Sequence, residues 1–523
     1  MYIENINLPK DIKKLSVEQL SVLAEEVRTA LIRKLSEHGG HIGPNLGMVE
    51  TTIALHYVFN SPIDKIVFDV SHQSYVHKML TGRMAAFLDP AKYDDVTGYT
   101  NPDESEHDFF TIGHTSTSVS LAMGLAKGRD LTGGKENIIA VIGDGSLSGG
   151  EAFEGLNNAA MLGSNMIIIV NDNDQSIAEN HGGLYKGLKE LRDTNGESPD
   201  NIFKAMGLEY YYLGDGHDVS ALIKLFTSVK DIDRAVVLHI HTIKGKGLKY
   251  AEENKEYWHA GGPFHIEDGS PKGPGWPVNE TVRESVLDLI EKRSDIVAIT
   301  AGTPSVIGFT EDYRKRAGKQ FVDVGIAEEH AVAMASGIAR NGGTPIFGVF
   351  SPFLQRTYDQ LSSDLCLNNN PAVIMVFMAS VYGMNSNTHL GIYDIPMISH
   401  IPNLVYLAPT SKEEYLAMFK YATTQKAHPI AIRIPMMMPE TGIEDTTDYS
   451  LLNKYQVVRK GSGVAIIALG DFFELGVQIA DKYKILTGND VTLINPKFIT
   501  GIDEELLECL KTDHKLVLLL KTA

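Results

Sequence analysis

Apolar residues in this chain come mostly as short unbroken runs, each closed by Gly, Asp or Asn. Ile138–Ile142 is such a run, and it reads as a strand buried on both faces, as in a parallel sheet. It ends in Gly143-Asp144-Gly145. Ala152, Phe153, Leu156, Ala159 and Ala160 then recur at helical spacing. A second run, Met166–Val170, ends in Asn171-Asp172-Asn173. The pattern predicts a βαβ unit with polar oxygens at the carboxyl ends of both strands. Open α/β sheets bind ligands at that edge.

The same reading extends along the chain. Ser16 and Gln19 form a capping-box pattern for a helix reaching Leu35, with Leu20, Leu23, Val27 and Leu31 on its apolar face. Gly39–Gly47 is rich enough in glycine to predict a loop. Ile66–Val70, Phe109–Thr117 and Val236–His241 are further strand candidates, the second running into a small polar loop. Gly261–Pro277, rich in Gly and Pro, marks a domain boundary. Strand candidates resume at Ile296–Thr300, Phe321–Val324, Pro345–Phe350, Ala372–Met378, Leu404–Ala408 and Ile430–Ile434, alternating with helical patterns. Met436–Tyr449 reads as a second linker. A third set (Val464–Leu469, Val491–Ile494, Leu516–Leu520) begins near Tyr455, and its last strand is expected to leave an open sheet edge. The fold class expected is α/β, with three consecutive doubly wound, mostly parallel-sheet domains over 1–275, 276–440 and 450–523. The third is expected to be incomplete.

Composition narrows the function. The chain has 523 residues, 43% hydrophobic and 22% charged, within the ordinary globular range. Its formal charge of −19 argues against nucleic acid as the main partner. No apolar run reaches transmembrane length, and the amino terminus lacks a signal-peptide core. Cys366 and Cys509 stand far apart and match no metal spacing, so a reducing, cytoplasmic setting is expected.

The candidate chemistry lies at the strand ends. Gly143 and Gly145 permit close backbone approach, and Asp144 and Asn173 offer hard oxygens. Mg²⁺ takes one or two such ligands and completes its octahedron with phosphate oxygens and water, so the unit suits a metal-bridged diphosphate. A bare Gly-Asp-Gly is equally an ordinary turn with an Asp cap; Asn173 after the next strand is what raises it above that. Lys244, set among glycines after a strand, suits an anion but does not fit the P-loop pattern. His72 and His77 lack the HExxH arrangement of a zinc site.

The strings GDGSLSGGEAFEGLNNAA and NDNDQSIAEN together resemble the thiamine diphosphate motif, in the form it takes in the 1-deoxy-D-xylulose-5-phosphate synthases of the transketolase superfamily. The resemblance covers essentially the whole chain. It implies thiamine diphosphate and Mg²⁺ as cofactors, with Asp144, Asn173 and the Gln175 carbonyl as metal ligands. Gly143, Gly145 and Ser146 would line the diphosphate, joined by His114 and Ser116 from FFTIGHTST and by Lys244. His41 in GGHIGPNLG, His72 in SHQSYVHK and His259 in YWHA match family active-site histidines; His77 is expected to be structural. DVGIAEEHAV resembles the family's DVGIAEQHAV, whose first glutamate, here Glu328, hydrogen-bonds a pyrimidine nitrogen of the cofactor and so activates it. As a bland alternative, an acid at a helix start simply suits the dipole. SPFLQRTYDQ resembles STFLQRAYDQ, which places Phe353 against the pyrimidine and Arg356 towards the substrate channel. THLG contributes His389. The activity implied is decarboxylation of pyruvate and ligation of the two-carbon unit to glyceraldehyde 3-phosphate, by a homodimer.

The match frays at the acceptor. Two family arginines that grip phosphate are replaced by Met378 and Met436, and a family aspartate by Asn385, a substrate candidate. Phe350 stands where a tyrosine is common. Methionine makes none of the bidentate bonds of a guanidinium, each worth roughly 1.5–3 kcal/mol. A different, less phosphorylated acceptor is therefore one alternative, and a non-catalytic cofactor-binding protein another.

Overall fold

The structure, a computed structural model, describes residues 1–273 and 279–521. The expected domain limit at 275–276 lies outside the described residues. The chain divides into two compact units, Met1–Pro277 and Val278–Ala523.

The first unit is built on β1 (Lys65–Phe68), β2 (Ile138–Gly143), β3 (Met166–Asp172), β4 (Glu209–Leu213) and β5 (Ala235–His241). They form one sheet in the order β1-β2-β3-β5-β4, and every pairing is parallel. Alternate residues of β2 serve opposite cores. Ile138, Ala140 and Ile142 pack with the helices Ser118–Thr132 and Gly150–Ala159, while Ile139 and Val141 pack with Leu55, Leu222 and Phe226 on the other face. Burial on both faces is why β2 and β3 read as continuous apolar runs. The capped helix spans Val17–His38. Ser16 accepts from the Gln19 amide, and the Gln19 side chain accepts from the Ser16 amide at 2.8 Å.

Three local expectations change. Ile42–Gly47 is helical, not loop. Its glycines serve close packing instead: the Gly43 amide donates to the Trp258 carbonyl at 2.8 Å, and a Cβ on Gly47 would sit 3.1 Å from the Ile243 carbonyl. Residues 109–117 form no strand. Their carbonyls are taken by hydroxyls, Phe110 by Thr100 and Ile112 by Ser71, both at 2.8 Å, instead of by a ladder. β1 stops at Phe68, before Val70 (φ +56°) and Ser71 (φ +64°) turn left-handed.

The second unit contains β6 (Ile296–Thr300), β7 (Phe321–Asp323), β8 (Thr344–Phe350), β9 (Val373–Phe377), the short β10 (Asn385–Ser386) and β11 (His389–Leu390), β12 (Val405–Leu407) and β13 (Ile430–Arg433). It ends with β14 (Gln456–Arg459), β15 (Gly463–Ala468), β16 (Thr492–Asn495) and β17 (His514–Leu520). A six-stranded parallel sheet runs β12-β13-β9-β8-β6-β7, and a mixed sheet runs β14-β16-β15-β17 with β14 antiparallel. The two sheets are tied by main-chain bonds, Ala408 amide to Lys497 carbonyl at 2.8 Å and Ile499 amide to Tyr406 carbonyl at 2.7 Å. Buried Lys497 also donates to Asp445 at 2.9 Å and Thr447 at 2.7 Å. That fastens the stretch expected to be a linker.

Candidate active site

At the carboxyl edge of the first sheet, β2 delivers Asp144 and β3 delivers Asn171 to Asn173. Asp144 is buried, and burial with the neighbouring Asp172 carboxylate pushes its pKa up. Its Oδ2 accepts from the Gln175 amide at 3.0 Å and from Asn180 at 2.7 Å. Asn171 is spent on Thr242 Oγ1 at 2.6 Å. Asp172 is spent on His239 at 2.9 Å and Arg192 at 2.6 Å. Asn173 differs: its side-chain Oδ1 is buried with no hydrogen-bond partner, as is the Oδ1 of Asn180. Two orphaned amide oxygens beside a buried carboxylate fit a hard cation. Gly143 leaves open space where a Cβ would stand, whereas a Cβ on Gly145 would lie 2.9 Å from Ser176 Oγ.

Around this pair, Ser116 is buried in a left-handed turn (φ +77°) and donates to the Ser146 carbonyl at 2.8 Å. The turn is held by buried Asp69, which accepts the Ser116 and Ser118 amides at 2.8 and 3.0 Å. His114 is half-buried in the same loop. Lys244 is almost fully buried, donates to the Ser176 carbonyl, and is pushed down to about 7 by burial. Lys255 donates to the Asn173 carbonyl at 3.0 Å.

Three histidines meet in the same unit. The rings of His41 and His72 lie 5.0 Å apart, His72 and His259 5.2 Å, and His41 and His259 5.9 Å. Burial and then Lys244 hold His41 down to about 4, and the same causes, with His72 and His41, hold His259 well below the usual value. His41 and His259 are therefore neutral imidazoles at pH 7. Asn45 sets the loops that carry them: its amide donates to the carbonyls of His41 at 2.7 Å and His72 at 2.8 Å. His77 lies elsewhere, fully buried between His56 at 2.9 Å and Asp108 at 2.9 Å, a structural contact.

In the second unit, Glu328 is the first residue of the helix Glu328–Arg340. It is buried, and burial pushes it up to about 7 although Arg356 approaches at 3.3 Å. Phe353 stands edge-on to Phe350 at 5.9 Å and to His389 at 5.4 Å. The side chain of Asn385 lies outside the described residues; its backbone pairs with Leu390 in the β10–β11 hairpin.

A family model described as 1-deoxy-D-xylulose-5-phosphate synthase matches residues 3–198 and 193–242, and one described as transketolase, pyrimidine binding domain, matches 277–439. The chain is 38% identical over 557 residues to the 1-deoxy-D-xylulose-5-phosphate synthase of Alkaliphilus oremlandii, covering 99% of this chain and 88% of that protein. It is also 38% identical to the synthase of Clostridium beijerinckii, over 98% of this chain and 88% of the relative. The chain belongs to the 1-deoxy-D-xylulose-5-phosphate synthase family. Among solved structures, transketolase from Campylobacter jejuni aligns over 97% of this chain and 93% of that one, with 16% identity and a TM-score of 0.42.

Several residues at this family member's site escape a reading of strand ends: Asp69, Asn180, Tyr185, Arg192 and Lys255. Only Asn180 lies inside the quoted motif text, and its Asn-after-acid setting carries no ligand signal by itself. Met378 (φ +55°) and Met436 are half-buried. The Met436 amide donates to Asp471 at 3.2 Å. The nearby guanidinium of Arg433 is buried against Asp394 at 2.7 Å. Among the described residues no cluster of three or more His, Cys, Asp or Glu could hold a metal, so a cation here would rely on amide and carbonyl oxygens beside Asp144. No helix among them is long and apolar enough to cross a membrane.

Proposed function

We propose that this chain forms 1-deoxy-D-xylulose 5-phosphate and CO₂ from pyruvate and glyceraldehyde 3-phosphate, using thiamine diphosphate and Mg²⁺. The observation that carries the reading is the orphaned Asn173 oxygen beside buried Asp144, in a chain matched almost end to end by relatives that bear this activity in their names.

Asp144, Asn173 and the Gln175 carbonyl would hold the metal. Gly143, Gly145, Ser146, Ser116, His114 and Lys244 would receive the diphosphate, whose charge favours the protonated form of Lys244. When bound, thiamine diphosphate supplies the carbon nucleophile that adds to pyruvate and allows CO₂ to leave. Glu328 holds a proton near pH 7 in its buried setting and is suited to share it with a ring nitrogen, with Phe353 against that ring. The imidazoles of His41, His72, His259 and His389 can donate or accept protons at substrate oxygens, His41 and His259 in their neutral form. Arg356 and Asn385 are assigned to substrate. Residues 1–275 serve the diphosphate and metal, 276–440 the pyrimidine, and 450–523 correspond to the transketolase C-terminal region. A cytoplasmic homodimer is part of the same proposal, and mass in solution tests the dimer.

Family membership favours the phosphorylated acceptor over an unphosphorylated one and over a non-catalytic role. The test is product identification by mass spectrometry with both cofactors and pyruvate, with and without glyceraldehyde 3-phosphate. Deoxyxylulose phosphate that appears only with the acceptor is expected. CO₂ release without that product would overturn the reading.

A further inference from the structure

The helix Gly183–Asp193 touches both loops that offer oxygens to the metal. Leu188 and Leu191 bury into the core beside the central sheet and fix the helix in place. From its first turn, buried Tyr185 donates through its hydroxyl to the carbonyls of Asp144 and Gly145, each at 3.3 Å. From its last turn, Arg192 spans two carboxylates, Asp172 at 2.6 Å and Asp174 at 2.7 Å. These residues flank Asn173 on either side. Asp172 is also gripped by His239 from β5 at 2.9 Å, and His239 in turn by Tyr210 at 2.8 Å. Asp174 is left-handed (φ +58°), a conformation a non-glycine residue holds only when its surroundings impose it.

We propose that the helix Gly183–Asp193 is a clamp on the two metal-holding loops, with Tyr185 and Arg192 as positioning residues that set the affinity for Mg²⁺ and thiamine diphosphate. One rigid element fixes the end of β2 and the end of β3 together, and so fixes the separation of the Asp144 and Asn173 oxygens. An octahedral site with short bonds tolerates little error in that separation. Neither residue is asked to touch metal or cofactor. The inference rests on the metal-binding reading of those loops.

The test is calorimetric titration of thiamine diphosphate at saturating Mg²⁺, and of Mg²⁺ at saturating thiamine diphosphate, with turnover measured at saturation of both. Arg192→Met is expected to weaken both affinities about 10- to 100-fold, the usual range for lost partners of ligating groups, while turnover at saturation falls by less than about threefold. Arg192→Lys keeps the charge but cannot bridge two carboxylates with one planar fork, and is expected to recover only part of the affinity. Tyr185→Phe and Asp174→Asn each remove one arm and should weaken binding about threefold or more by the same reasoning. They carry the test if Arg192→Met does not fold. Affinities within twofold of the parent in the folded variants would overturn the clamp alone. A parent protein that binds no thiamine diphosphate would overturn the proposed function as well.

Discussion

Glu328 carries a pH signature that can be read without cofactor. Its folded pKa is raised from 4.5 to about 7, chiefly by burial. Between those values the folded state keeps a proton that the unfolded chain has released. Stability from this group is therefore full below about pH 4.5, falls as pH rises, and is flat above about pH 7. The total is at most about 3.5 kcal/mol, at roughly 1.4 kcal/mol per unit. Glu328→Gln cannot release a proton, so urea unfolding should show the variant gaining on the parent steadily from pH 4.5 to 7. A difference independent of pH would mean that the carboxyl titrates normally. The same variant should lose about 10²- to 10⁴-fold in turnover. Asn173→Ala makes a contrasting prediction. The oxygen it removes has no protein partner, so the unfolding free energy should change by less than about 1 kcal/mol. Thiamine diphosphate affinity, followed by calorimetry, should drop at least about tenfold. Asp144 and Asn173 stand out in the sequence because each follows a strand run at the sheet's carboxyl edge, and Glu328 through the resemblance of DVGIAEEHAV to a family motif; the structure buries all three. Tyr185 and Arg192 do not stand out. Their contacts depend on how a helix packs across two loops, which no local pattern records.

At the scale of elements, legibility followed burial. Strands buried on both faces announced themselves as apolar runs, and β6 matched its expected limits residue for residue. β4 did not: Glu-Tyr-Tyr-Tyr-Leu is half-buried at a sheet edge and has neither the run nor the alternation that signals a strand. Ile42–Gly47 failed in the opposite sense, since glycines that usually break a helix are here demanded by neighbours. Gly43 is the sharpest case. Its amide donates to the Trp258 carbonyl at 2.8 Å, its carbonyl accepts the Gly245 amide at 3.0 Å, and a Cβ would meet the Trp258 oxygen at 3.0 Å and Lys244 Cγ at 3.1 Å. Gly43→Ala must push apart the segments that carry His41, Lys244 and His259. It should cost about 1–3 kcal/mol in denaturant unfolding, as other overpacked sites do, and lower turnover together with thiamine diphosphate affinity. An unfolding midpoint and turnover both equal to the parent's would show that these segments give way freely.

At the scale of the whole molecule, one exposed apolar feature among the described residues is the outer edge of the mixed sheet. β17 pairs with β15 on one side, and among the described residues no strand pairs with its other side. Its sequence, His-Lys-Leu-Val-Leu-Leu-Leu, reads as a strand meant for burial, yet Leu516, Val517 and Leu519 are each about half exposed. An apolar, unpaired edge is a template for another strand. The net charge of −19 opposes such pairing between copies, and salt screens that repulsion, with a Debye length near 10 Å at 0.1 M. Light scattering beyond the smallest stable assembly should therefore rise with protein concentration, and rise further between roughly 0.05 and 0.5 M salt as the Debye length shrinks. Val517→Lys with Leu519→Lys places charge on the edge and should abolish that rise. The unfolding midpoint should move little, because half-exposed positions contribute within about 0.5–1 kcal/mol. Association that persists unchanged in the double variant would assign it to another surface and leave the β17 edge inert.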